Sequence, residues 1–206
     1  QAELDQLRSE MAVQQESVMI SAAQAEADLA AAREEAARLE QEAIATAQAA
    51  SNRAALNRIA TAVETGAPFA DALAGLEGGD VPAALSDAAD TGVTTTAQLV
   101  QDFPAAARAA LATARAEGVS DDAGGLGGFL RSQFDVRSTA PQEGAGPDAV
   151  LSRAEAAVKE GRVSDALAEI EALPEVARAE MTDWTARATQ RADVLNAIAT
   201  LSETYN

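Results

Sequence analysis

The first 65 residues contain neither glycine nor proline, whereas all 13 glycines and all six prolines fall between Gly66 and Pro174. These residue types punctuate helices, glycine through backbone freedom and proline through a missing donor and a clash with the preceding turn. Their absence permits one near-continuous helix over the N-terminal third. Leu4, Leu7, Met11 and Val18 share one side of it. Ala22, Ala25, Leu29, Ala32, Ala36, Leu39 and Ala43 continue with alternating spacings of four and three, after an extra step near Gln15. That is a coiled-coil pattern with a stutter. Fifty helical residues reach about 75 Å, too long to fold back as one compact element. Residues 1–50 are therefore expected to be a coiled coil, with Leu4, Leu7, Met11, Val18, Leu29 and Leu39 forming an oligomer interface. The seam is mostly alanine, so each heptad contributes weakly. An exposed single helix, or one packed on the domain that follows, fits the same residues, and both parallel and antiparallel pairing stay open.

The C-terminal quarter carries a second pattern. Gly146-Pro147-Asp148 supplies a helix start, because proline suits the first helical position. Val150, Leu151, Ala154, Ala157 and Val158 recur at the spacing of one helical face, and Gly161 stands where a left-handed cap ends that helix. Ser164 is the expected cap of the next, whose apolar stripe is Val163, Ala166, Leu167, Ile170 and Leu173 before Pro174 breaks it. A last long helix is expected to turn Ala177, Met181, Trp184, Ala188, Leu195, Ile198 and Leu201 inward. Trp184 reads as a core residue or as an exposed anchor for a partner.

As a set these residues resemble the C-terminal domain of the mitofilin family, membrane-shaping scaffolds. The resemblance rests on Arg153-Ala154-Glu155, Gly161, Ala166 with Glu169, Leu173, and Trp184 with Ala188 and Arg191. It covers roughly a quarter of the chain. Gly66-Ala67-Pro68-Phe69 and Thr91-Gly92-Val93 also resemble the bacterial branch. The likeness implies a scaffold at crista junctions, in bacteria on the periplasmic side of the inner membrane, with outer-membrane or other membrane proteins among its partners. It also implies a transmembrane anchor upstream of Gln1, the chain being read as an excised fragment. Ala154, Gly161, Ala166 and Ile170 fit a tetratricopeptide helix pair as well. No second copy follows at that period, however, and such repeats bury their faces only by stacking.

Between these ends, residues 51–146 read as short helices joined by tight loops. They are expected near Asn52–Thr65, Phe69–Leu76, Val81–Ala89 and Pro104–Glu117, the last with Asp102 as cap. Gly124-Gly125-Leu126-Gly127-Gly128 lacks the Gly-Lys-Ser/Thr of a phosphate loop and the strand and helix of a dinucleotide site, so it reads as a flexible loop. Phe134–Arg137 reads as a short extended piece and Ser138–Pro147 as a surface loop.

The side-chain inventory argues against catalysis. There is no histidine, the commonest general base near neutral pH, and no cysteine for thiol or zinc chemistry. The only lysine, Lys159, falls on an expected exposed face. Asp121-Asp122 and Glu34-Glu35 read as solvated charge. No cofactor or metal is implied. A net charge of −18 opposes nucleic acid, whose binding relies on neutralising phosphates with Lys and Arg.

Lipid contact at an anionic membrane surface would need a locally basic amphipathic element. Two windows are free of acidic residues: Ala43–Val63 with Arg53 and Arg58, and Phe103–Ala116 with Arg108, Arg115 and Phe103. Both lie between the coiled coil and the C-terminal domain, where mitofilins are thought to contact lipid. The same windows also fit ordinary packed helices with exposed arginines. The expectation is an all-α protein: a coiled coil over 1–50, a helical region over 51–146, and a C-terminal helical domain over 147–206 that packs with it. Its expected function is that of a non-enzymatic, self-associating, membrane-organising scaffold. The alternatives are a soluble tetratricopeptide-like interaction module and an accessory protein of tetrapyrrole synthesis.

Overall fold

The structure is a computed structural model that describes residues 1–118 and 144–205. Among them every regular element is helical, so the chain is all-α. The glycine-rich run, the piece at Phe134–Arg137, Asp121-Asp122 and most of the Ser138–Pro147 loop lie outside the described residues. The first helix, α1, runs from Ala2 to Thr65 without a break. The chain divides into two compact units, Gln1–Ala50 and Ser51–Asn206. The first is helix alone. A local side-chain pair supports it: Arg38 donates to Glu35 at 2.6 Å. Such exposed i,i+3 and i,i+4 contacts contribute only about 0.2–0.5 kcal/mol each.

The second unit begins on residues 51–65 of α1. It continues with α2 (Ala70–Leu73), α3 (Ala83–Ala88), α4 (Thr96–Ala116), α5 (Pro147–Lys159), α6 (Val163–Ile170), α7 (Glu175–Ala179) and α8 (Thr182–Thr204). Pro147 opens α5 at its first position, with Gly146 as N-cap. At its end the Gly161 N–H donates to Val158 and the Arg162 N–H to Ala157, the paired bonds of a Schellman turn. Gly161 has φ +79, and an added Cβ would meet nothing within 4 Å. Only backbone strain opposes a side chain there. Gly161→Ala is accordingly expected to lower the unfolding free energy by about 1–2 kcal/mol in urea denaturation, and an unchanged midpoint would refute the left-handed cap. Ser164 is not the cap of α6. Arg162 occupies that position without a side-chain bond.

Three further expectations are corrected. α4 starts at Thr96 rather than Pro104. Thr95 is its cap and accepts from the Gln98 N–H at 3.1 Å. Pro104 therefore sits inside the helix and removes one bond at about 3 kcal/mol. Leu99, Phe103, Ala110 and Ala114 all lie in the core, and burying large apolar side chains offsets that loss at about 1.5–3 kcal/mol each. Asp102 does not cap. It accepts from Arg187 of α8 and from Gln98, and the Arg187 bond first, with that from Gln98, holds its carboxyl below the usual range. Its contribution is present at neutral pH and is lost as pH falls through that lowered value. Finally, the last segment is two helices, and Val194 rather than Leu195 faces inward.

Two apolar clusters make up the core of this unit. One joins α4, α5, α6 and α7 with Met181, Trp184 and Ala188 of the α8 region. The other joins Leu56, Ile59 and Val63 of α1 with Phe69, Leu85, Val93, and Val194, Ala197 and Leu201 of α8. The α8 helix runs through both.

Candidate assembly and membrane-contact surfaces

In the first unit every large apolar side chain of the proposed seam is exposed: Leu4, Leu7, Met11, Val18, Leu29 and Leu39. Val13, Met19, Ile20 and Ile44 are exposed as well, and they lie off that seam. Together these side chains line the helix with apolar surface that no other part of the described chain buries.

In the second unit the candidate lipid-contact residues separate into three groups. Phe103 is not at the surface. It is 1% exposed and stacks edge-on against Trp184, with ring centroids 5.0 Å apart. The reason is its phase on α4, which it shares with Leu99 and Ala110. Arg58 and Arg115 are exposed but share their surroundings with carboxylates. Arg58 lines a shallow depression with Asp71 and Asp90, and Arg115 pairs with Asp148 at 3.5 Å. Arg53 and Arg108 are exposed as well. Arg53 lies beside Asn57, Ser202 and Tyr205, and Arg108 donates to the Pro104 carbonyl of its own helix.

Leu173 and Trp184 are buried. The indole N–H of Trp184 donates to the Leu99 carbonyl at 3.0 Å, which binds α8 to α4. Arg153 pairs with Glu169 at 2.8 Å and donates to the Gly144 carbonyl. That ion pair closes the α5–α6 hairpin, and the Glu169 hydrogen bond raises the arginine pKa.

Two buried polar residues were not read as such from the sequence. Arg191 is 1% exposed and lies on α8 between the stretches that serve the two clusters. Its Nη1 donates to the Val63 carbonyl at 2.9 Å and the Thr94 carbonyl at 3.3 Å, and its Nη2 reaches Glu64 at 3.0 Å. One guanidinium thus serves carbonyls at the C-terminal end of α1 and in the loop between α3 and α4. Asn52 pairs reciprocally with the backbone of Glu77, at 2.9 Å and 3.0 Å. Both residues stand at apolar-stripe spacing, Arg191 among Trp184, Ala188 and Val194, and Asn52 among Ala55, Leu56 and Ile59. A polar residue on such a stripe was the available signal.

Among the described residues no group of three or more carboxylates is placed to hold a metal, and no helix is long and apolar enough to cross a membrane. The chain matches no protein-family model, no curated protein and no solved structure.

Proposed function

We propose that this protein is a non-enzymatic scaffold. Copies associate through the helix over residues 2–50, and the folded unit is presented to an anionic membrane surface that the assembly organises or bends. The observation that carries the reading is the exposure of the apolar seam on a helix that forms a unit by itself. Assembly gives multivalency, so a weak contact at each Arg53 and Arg108 adds through avidity. The resemblance of residues 148–203 to mitofilins supports a bacterial inner membrane as that surface, approached from the periplasmic side, in a role like that at crista junctions. A tetratricopeptide-type interaction module ranks second, because the α5–α6 hairpin on which it rests is already flanked by α4 and α8.

Co-sedimentation with anionic liposomes tests the membrane part. Each basic residue near such a surface contributes about 1 kcal/mol, so Arg53→Glu combined with Arg108→Glu is expected to reduce partitioning by at least about tenfold. Added salt weakens the wild-type contact in the same direction. Wild-type protein that stays in the supernatant at low salt removes direct lipid binding from the account.

A further inference from the structure

In the folded unit a hollow of about 190 Å³ is lined by Arg53, Leu56 and Asn57 of α1 with Ser202 and Tyr205 at the end of α8. Positions i, i+3 and i+4 share one helix face, which brings the three α1 side chains together. Leu56 is buried and gives the hollow an apolar wall. Arg53, Asn57 and Tyr205 each carry a side-chain donor. Among the described residues none of these three side chains has a hydrogen-bond or ion-pair partner. Ser202 donates its hydrogen to the Ile198 carbonyl at 2.8 Å. The Tyr205 hydroxyl is held in place, because it lies against Gly79, where a Cβ would collide with it. Gly79 does not have a left-handed φ, so a side chain is excluded there for space alone. Its loop is fastened to α1 by the paired bonds between Asn52 and Glu77.

We propose that this hollow is a subsite for a phosphomonoester group, carried by a lipid headgroup or by a small soluble molecule. The inference rests on the reading of Arg53 as a membrane contact and names the group it engages. An arginine fork holds two oxygens of one anion side by side, and the Asn57 amide and Tyr205 hydroxyl supply donors for a third. A phosphomonoester presents three terminal oxygens, whereas a carboxylate presents two. None of the five lining residues is acidic, and Ala43–Val63 holds no acidic residue at all. Glu203, next to Ser202, is exposed and outside the lining. Two effects oppose an anion here. The net charge of −18 acts mainly over distances that salt screens, beyond about 8 Å at physiological ionic strength. The C-terminal dipole of α8 acts nearby, and it is weaker than one charge-assisted hydrogen bond.

Two arms test the subsite in the full chain, with Tyr205→Phe and Asn57→Leu as variants that leave the net charge unchanged. The first is pelleting with vesicles containing phosphatidic acid, a phosphomonoester, or phosphatidylserine, a phosphodiester, at matched surface charge. Wild type is expected to prefer phosphatidic acid. Each variant is expected to weaken that binding by about tenfold and to leave phosphatidylserine binding unchanged, with unchanged helicity by circular dichroism. The second arm follows the Tyr205 ring signals by nuclear magnetic resonance as glycerol phosphate is added. Shifts that vanish in Arg53→Gln, from a protein that pellets with neither vesicle, keep the subsite and assign it a soluble ligand. That result removes the membrane reading. Equal pelleting with both vesicles, unaffected by Tyr205→Phe and Asn57→Leu, overturns the subsite and leaves the membrane contact standing. A protein that binds neither vesicle and shows no shift with glycerol phosphate defeats both.

Discussion

Arg191→Leu is expected to lower the unfolding free energy of the folded unit by about 3–5 kcal/mol. Leucine keeps most of the packing but leaves the carbonyls of Val63 and Thr94 without the donor they now share. A buried acceptor stripped of its partner costs about 1–3 kcal/mol, which accounts for most of the loss. The ion pair with Glu64 contributes little, because that carboxylate is 67% exposed. Glu64→Gln is therefore expected to change stability by less than about 1 kcal/mol. Arg191→Lys should fall between, since an ammonium keeps the charge but not the forked donors. Urea denaturation followed by tryptophan fluorescence isolates the effect, because Trp184 is the only tryptophan and reports on this unit. An Arg191→Leu midpoint equal to wild type would show that the two clusters cohere without the guanidinium.

Trp184→Ala is the second large effect, expected at about 4–5 kcal/mol. The change opens a cavity among Leu99, Phe103 and Ala188, removes the edge-on contact with Phe103 and releases the bond to the Leu99 carbonyl. Trp184→Phe separates these contributions. It keeps an aromatic ring and loses the N–H, so about 1–2 kcal/mol is expected. Chemical denaturation by circular dichroism measures both variants. A loss in Trp184→Ala below about 2 kcal/mol would mean that the core collapses around the gap. Its burial and its bond to the Leu99 carbonyl make Trp184 a core residue that joins α4 to α8.

Much of this architecture was legible in the residues. The stretch without glycine or proline fixed the extent of α1 to its last residue, because Gly66 takes a left-handed conformation immediately after it. Pro147 and Gly161 marked both ends of α5. The start of α4 was misread because Pro104 looks like a helix opener, although Thr95 and Gln98 formed the better local signal. Local rules favour proline at a first turn, yet the stripe of Leu99 and Phe103 decided the matter through tertiary burial. That choice also misassigned Phe103, since its phase against the core depends on where the helix begins. Arg191 stands on an apolar stripe of α8. Its role depends on carbonyls at Val63 and Thr94, more than 90 residues away in sequence, which no local pattern displays. The exposure of the seam follows directly from its length, whereas the crowding of Val13, Met19 and Ile20 beside it becomes visible only when the side chains are placed around the axis.

The central claim is that the exposed helix over residues 2–50 brings copies of this chain together. Light scattering of the purified protein over a wide concentration range tests it most directly. The account predicts a weight-average mass that climbs to a multiple of 21.0 kDa and returns toward the single-chain value in Leu29→Gln/Leu39→Gln. A mass that stays at 21.0 kDa at the highest concentration reached would contradict it.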